Sequence, residues 1–448
     1  MKIPSAREVL RLAVMIGAAA CDLSTPTEPQ NPLDLQLDFC AADVPVWFVY
    51  QNEDMSSATR LFPDAEGTFR FTATNRVTIG MVFQNGADYH TELFYATNEE
   101  LAGLSAVECL EALGSKTVNG TVAGVGPNQT AVVTMGFASV ELVPGNTSYS
   151  LTGLPERALD LIATRQTTTA TSSIADRLVI RRTQNITNNG NVPLLDFANG
   201  SDAIQPATAA ASISGILSGE FAFLQNSFFS QLETSHSLSY AEALGNGARA
   251  FAAVPQTSLA VGDYHDLILQ SIDGTIGSVR GVENFFRGPT DQTLALGPVL
   301  NDPSISDVTA PTGPVILRLE LPAQLSYNDA VAVRYEQQLN LSVITVALFV
   351  TSGYAQGTPS VWALQIPNLR GVPGWIEAWE LRTGAPIDWS VTGFSGRPEL
   401  LLGARPEDGE FVRYAIRRSD PAAAAAVSTA RNGSLRSVYT NRLRLPTP

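Results

Sequence analysis

Trp375, Glu377 and Trp379 put two large aromatic faces and a carboxylate at alternate positions near the end of a 448-residue chain. On an extended strand the three share one face, with the two tryptophan Cα atoms about 13 Å apart at the usual rise per residue. Coplanar indoles at that separation stack alternate pyranose rings of a polysaccharide. A carboxylate between them favours an exposed face, because an unpaired carboxylate is costly to bury. The alternative is that the rings fill a sandwich core, the usual fate of large aromatics. Four of the five tryptophans, Trp362, Trp375, Trp379 and Trp389, fall in this last region.

Other chemistries find less support. Histidine is confined to His90, His236 and His265, each isolated, so a transition-metal centre would have to gather ligands from distant segments. Asp263, Tyr264, His265 and Asp266 form the densest polar cluster and read as the turn entering a strand. No Asp-x-Asp-x-Asp-Gly loop is present to hold calcium. Neither a Gly-x-Ser-x-Gly elbow nor a Ser-x-x-Lys motif offers a nucleophile. The glycine-rich run from Gly120 to Gly126 enters a strand and lacks the helix and Lys-Ser/Thr ending of a phosphate loop. Glu99 and Glu100 read as a solvated face. No catalytic residue, metal ligand or cofactor is assigned.

Composition narrows the partners. A net charge of −15 and a pI near 4.7 argue against nucleic acid, which asks for clustered Lys and Arg. They argue equally against a basic patch docking on an anionic membrane. Hydrophobic residues make up 44% of the chain, ample for packed cores. Its length exceeds one ordinary core, so three or four domains are expected.

The N-terminus supplies the compartment. Lys2, Arg7 and Arg11 make a positive n-region, Leu12 to Ala20 a short apolar run, and Ala18 to Cys21 a small-residue cleavage site. That ending resembles the lipobox of bacterial lipoproteins, which implies diacylation of Cys21 and a partner in the lipid bilayer. The alternative is an ordinary secretory signal cleaved near Ala20. The apolar run is too short for a permanent membrane span. Residues 22–39 are rich in Ser, Thr, Pro, Glu, Gln and Asn and read as a flexible tether. Export would leave Cys40 and Cys109 an even pair in an oxidising compartment. A Cys40–Cys109 disulfide closing a first β domain, residues 40–114, is therefore predicted, worth roughly 4 kcal/mol in the chain-entropy model. Two free buried thiols are the rival.

Period-two alternation then organises the chain. Residues 115–200 carry short runs punctuated by Gly, Pro and Asn, with Ala138, Val140 and Leu142 on one face and Leu159, Leu161 and Ala163 on another. The opening Gly120 to Gly124, the turn from Tyr149 to Pro155 and the strands Leu159–Arg165 and Arg177–Arg182 resemble the transthyretin-like, carboxypeptidase-regulatory-like sandwich of bacterial envelope proteins. The likeness covers less than a fifth of the chain. It implies a spacer or accessory module without a catalytic centre. A third β domain is expected over 207–308 and a C-terminal sandwich over 313–446, where Val315, Leu317, Leu319 and Leu321 alternate with Arg318 and Glu320. Trp375 to Leu381 and Ser437 to Leu445 are among its expected strands. Asn98 to Leu104 is the expected helix. The fold class is all-β, built of successive antiparallel sandwiches.

Three functions fit in descending order. The first is a non-catalytic, envelope-anchored lipoprotein that binds or scaffolds envelope components. The second is a carbohydrate-binding surface protein using Trp375 and Trp379. The third is a hydrolase whose carboxylates come from different domains.

Overall fold

The computed structural model describes residues 32–38, 44–52, 58–65, 67–101, 114–232, 234–310, 313–401 and 404–419. Cys21, Cys40, Cys109 and the expected strand Ser437 to Leu445 lie outside them. At 57% strand and 4% helix the protein is all-β.

The first stretch forms β1 (Leu33–Asp38), β2 (Trp47–Asn52), β3 (Thr59–Leu61), β4 (Thr68–Ala73), β5 (Arg76–Asn85), β6 (Asp88–Thr97) and the helical turn α1 (Asn98–Leu101). The second forms β7 (Lys116–Ala123), β8 (Gln129–Met135), β9 (Ala138–Leu142), β10 (Ser148–Leu154), β11 (Ala158–Thr168), β12 (Ser172–Asn185), β13 (Gly190–Asn191) and β14 (Leu195–Asp196). The third runs through β15 (Ala207–Ser214), β16 (Phe221–Phe229), β17 (Ser235–Glu242), β18 (Gly247–Ala253), β19 (Tyr264–Asp273), β20 (Ser278–Phe286), β21 (Gln292–Ala295) and β22 (Ser304–Asp307). The last comprises β23 (Leu317–Pro322), β24 (Ala330–Leu339), β25 (Ser342–Thr351), β26 (Val361–Gln365), β27 (Asp388–Ser395), α2 (Pro398–Leu401) and β28 (Phe411–Arg418).

Sixteen of these strands make one sheet, ordered β3-β2-β5-β6-β25-β24-β27-β28-β20-β19-β16-β17-β12-β11-β8-β9. Three joins carry it from one sequence block to another. β6 pairs in parallel with β25, Thr91 opposite Val346. β20 pairs antiparallel with β28, and β12 with β17. The sandwiches thus share a common layer, and smaller sheets supply the second one. β1-β4 closes a core on one face with Phe48, Phe69 and Ile79. β22-β23-β26 closes another on the opposite face with Leu319, Trp362 and Val333. β18-β15-β21 and the sheet around β7 cover the remainder.

Side-chain patterning explains these layers. β23 buries Leu317, Leu319 and Leu321 while Arg318, Glu320 and Pro322 face solvent, a strand with one covered face. β24 is apolar on both faces, sending Val331, Val333 and Tyr335 into one core and Ala330 and Ala332 into the other. A strand at the centre of a doubly covered sheet needs such a run.

Buried ion pairs fasten strands and loops to one another. Arg182 on β12 reaches Asp160 on β11 at 2.9 Å and Asp263, just before β19, at 2.6 Å. Its second amino group also donates to the Ser258 carbonyl at 3.0 Å. Of the Asp263–Asp266 cluster expected to be a turn, only Asp263 closes one, its amide donating to the Ala260 carbonyl at 3.2 Å; Tyr264, His265 and Asp266 already belong to β19. Arg280 and Glu220, each with only 2% of the side chain exposed, form a second pair. Ser271 Oγ and the Leu217 amide add hydrogen bonds to that carboxylate at 2.7 and 2.8 Å.

Glu100 departs from the solvated face expected of it. It is buried, accepting from the Thr97 amide at 2.8 Å and from Thr351 Oγ1 at 2.6 Å. The Glu100 amide in turn donates to Thr97 Oγ1 at 3.3 Å, a reciprocal cap that starts α1 and ties it to β25.

Candidate functional site

The segment expected to be a strand from Trp375 to Leu381 is not one. Glu377–Trp379 is a single 3-10 turn, entered through successive turns in which the Val372 amide donates to Leu369 and the Trp375 amide to Val372. Pro373 and Gly374 explain the difference. Proline removes a ladder donor, and Gly374 takes a left-handed φ of 78°.

The turn destroys the coplanar arrangement. The Trp375 and Trp379 rings stand edge to face, 5.2 Å apart with 81° between their planes. Trp47 from β2 completes the cluster, its ring 5.2 Å from Trp375 and 6.0 Å from Trp379. Its indole nitrogen donates to the Pro373 carbonyl at 3.0 Å, fixing the turn on the large sheet. Trp379 is only 5% exposed, whereas Trp375 is half-buried. Glu377 does not lie between the rings; its side chain is 78% exposed, 3.4 Å from Arg370.

The carboxylate that meets the indoles is Glu380. It is buried and accepts the Trp375 indole N–H at 2.9 Å. Arg370 donates to it through Nε at 3.0 and 3.1 Å and through Nη2 at 2.7 Å. Hydrogen bonding to Glu380 holds the Arg370 guanidinium above its usual pKa.

Beneath the tryptophans lies a partly enclosed cavity of about 20 Å³ for the centre of a water-sized guest. Leu93, Val346, Leu369 and Leu381 give it apolar walls, with Thr91, Trp379 and Glu380 also in its lining. Thr91 Oγ1 and Trp379 Nε1 are buried and make no hydrogen bond within the protein. Of the lining residues only Pro367 and Trp375 reach solvent appreciably, which places the mouth between them.

Sequence reasoning found Trp375 and Trp379 but missed Thr91, Trp47, Arg370 and Glu380. Opposite charges bracketing Pro373 and Gly374 were the available signal for the Arg370–Glu380 clamp. Nothing local points to Thr91 or Trp47, which arrive across the β6–β25 join and from β2.

The histidines are dispersed. His236 is fully buried, with its two ring nitrogens 2.8 Å from Thr164 Oγ1 and 2.9 Å from Thr134 Oγ1. Burial pushes its pKa down to about 3. His265 accepts the Val254 amide at 2.9 Å and is pushed down to about 4, again chiefly by burial. His90 lies 2.6 Å from Glu92. Among the described residues no three His, Cys, Asp or Glu side chains gather as a metal site.

No family model matches the chain, and no curated protein matches it. Among solved structures it is similar to the Bacillus anthracis TIE protein, at 8% identity, with 87% of this chain and 74% of that one covered and a TM-score of 0.14. Similarity at that level carries no argument about fold or function.

Proposed function

We propose that this protein is a non-catalytic, envelope-anchored lipoprotein whose β head binds or scaffolds other envelope components. The observation that carries the reading is the use made of its buried charges. Arg182 with Asp160 and Asp263, and Arg280 with Glu220, are consumed in internal hydrogen bonds that fasten strands and loops together. Together with a sheet running unbroken through all four sequence blocks, they make a stiff body suited to holding partners at fixed positions. The lipobox-like ending at Cys21, the Ser-, Thr- and Pro-rich residues 22–31 after it and the transthyretin-like turns of residues 115–200 support the same reading. The tether expected over 22–39 is shorter than that, because Leu33–Asp38 is β1, with Leu35 and Leu37 buried against the sheet.

Expression of the full chain in a bacterial host with labelled palmitate tests the anchor. The expected result is label in the membrane fraction, lost in Cys21→Ala. Co-sedimentation of the same protein with isolated cell-wall sacculi tests the scaffold. A soluble, unlabelled protein that ignores sacculi would overturn both parts.

A second reading, carbohydrate binding, keeps one observation: half-buried Trp375 edges a small cavity with apolar walls. It would not use the stacked platform that the sequence suggested, since the rings are edge to face.

A further inference from the structure

We infer that one face of the large sheet, across β24, β27, β28, β20, β19 and β16, is the docking surface for the C-terminal residues 420–448 of the same chain, whatever the protein binds outside itself. This face is apolar and closed to water. Ala332, Phe394, Ile416, Val279, Ile272 and Phe223, one from each of those strands, are at most 8% exposed.

The described cover is too small to account for that burial. The core on this side runs from β2 to β16, ten neighbouring strands in the sheet order, or about 43 Å at the usual strand spacing. Among the described residues, the buried members of this core outside the large sheet belong to β1, β4 and the helical turns α1 and α2. Six-residue strands reach about 20 Å even when laid crosswise, and each four-residue turn adds about 6 Å. The remainder needs another segment over it.

Position and charge name the occupant. Residues 420–448 follow Ser419 and β28, whose Tyr414 and Ile416 lie in the middle of the face. Fully extended, 29 residues span about 95 Å, ample to cross the uncovered strands. Arg431, Arg436, Arg442 and Arg444 against Asp420 alone make this stretch basic in a chain whose net charge is −15. Strand alternation puts Asp266 on the same side as Ile272, and Glu283 on the same side as Val279. Each is 1% exposed, and carboxylates are kept in such places by paired cations.

The test uses the full chain with p-benzoylphenylalanine in place of Phe223, photolysed, digested and read by mass spectrometry. The expected product is an adduct within one chain to a peptide from residues 420–448. An adduct to residues 1–31, to residues 102–113 or to a second chain names another occupant and overturns the assignment, as does the absence of any adduct. Charge supplies the second arm. Arg436→Glu, Arg442→Glu and Arg444→Glu together set like charges against Asp266 and Glu283. The urea midpoint should fall, and binding of an apolar dye should rise severalfold. Arg436→Lys, Arg442→Lys and Arg444→Lys together should leave both as in wild type. A triple glutamate variant as stable and as silent to the dye as wild type overturns the docking.

Discussion

Arg182 holds Asp263 at 2.6 Å across the boundary between the second and third sequence blocks, with Asp263 wholly buried and Arg182 partly so. Both Asp263 oxygens are also used by backbone amides, those of Gln231 at 2.8 Å and Ala260 at 2.7 Å. Removing Arg182 leaves the buried carboxylates of Asp160 and Asp263 without their counter-ion, whereas Arg182 without Asp263 still has Asp160. Arg182→Ala should therefore cost about 3–5 kcal/mol and Asp263→Ala less, measured by urea denaturation. The double variant should cost less than the sum, with a coupling of at least about 0.5 kcal/mol. Additive losses would mean that the two residues stabilise their own blocks separately.

His236 and His265 set a pH dependence whose sign follows from burial. Their folded pKa values, about 3 and about 4, lie below the ordinary histidine value of 6.5. Between roughly pH 4 and 6.5 the unfolded chain takes up protons that the native state excludes, so stability falls as pH falls. Each histidine contributes up to about 1.4 kcal/mol per pH unit in that window. His236→Gln keeps hydrogen-bonding atoms near Thr134 and Thr164 but cannot titrate. Its urea midpoint should move less than the wild type's between pH 7 and pH 5. An equal shift in the two proteins would show that His236 is not held neutral.

Glu100 joins a helical cap to the large sheet through the Thr97 amide and Thr351 Oγ1. Glu100→Gln retains an acceptor and should lose about 1 kcal/mol, as a weakened cap does. Glu100→Ala strips both donors of their partner in a buried site and should lose about 2–3 kcal/mol. Thr351→Val should then cost less in the Glu100→Ala background than in wild type, keeping the loss of the Tyr354 amide's acceptor at 3.1 Å. An equal cost in both backgrounds would mean that the Thr351–Glu100 hydrogen bond contributes nothing.

Much of this architecture was legible because one-sided strands write their burial into the sequence. The Leu317, Leu319, Leu321 alternation marks a strand with one covered face, and β23 is that strand. Of the helix expected from Asn98 to Leu104, Asn98–Leu101 is helical because Thr97 and Glu100 cap it, and the rest lies outside the described residues. What could not be read were the joins. The β6–β25 pairing brings residues some 250 positions apart into parallel register, and no local pattern encodes a partner at that distance. Trp375 to Leu381 failed for a different reason. Its apolar content fits a strand, but Pro373 and Gly374 had already turned the chain, and Glu377–Trp379 continued the turn. The carboxylate that mattered was Glu380 rather than Glu377, a difference set by turn geometry and invisible to a period-two count.

Gly281 faces Tyr414 across the β20–β28 join, and the tyrosine ring lies over it. A Cβ built on Gly281 would stand 2.1 Å from Tyr414 Cζ. Glycine is needed here for space, since Gly281 is not among the residues with positive φ. Tyr414 cannot easily withdraw, because it is fully buried and accepts a hydrogen bond from Gln270 at 3.2 Å. Gly281→Ala should therefore destabilise by about 1–3 kcal/mol or more through overpacking. Gly274 is the control: it has open space around a would-be Cβ and no positive φ. Gly274→Ala should be neutral or stabilise by about 0.4–1 kcal/mol, through the lower entropy of the unfolded chain. Thermal melts of the two variants decide the matter. A Gly281→Ala protein as stable as Gly274→Ala would mean that the ring does not press on the strand, and that the join between the last two blocks is looser than its register implies.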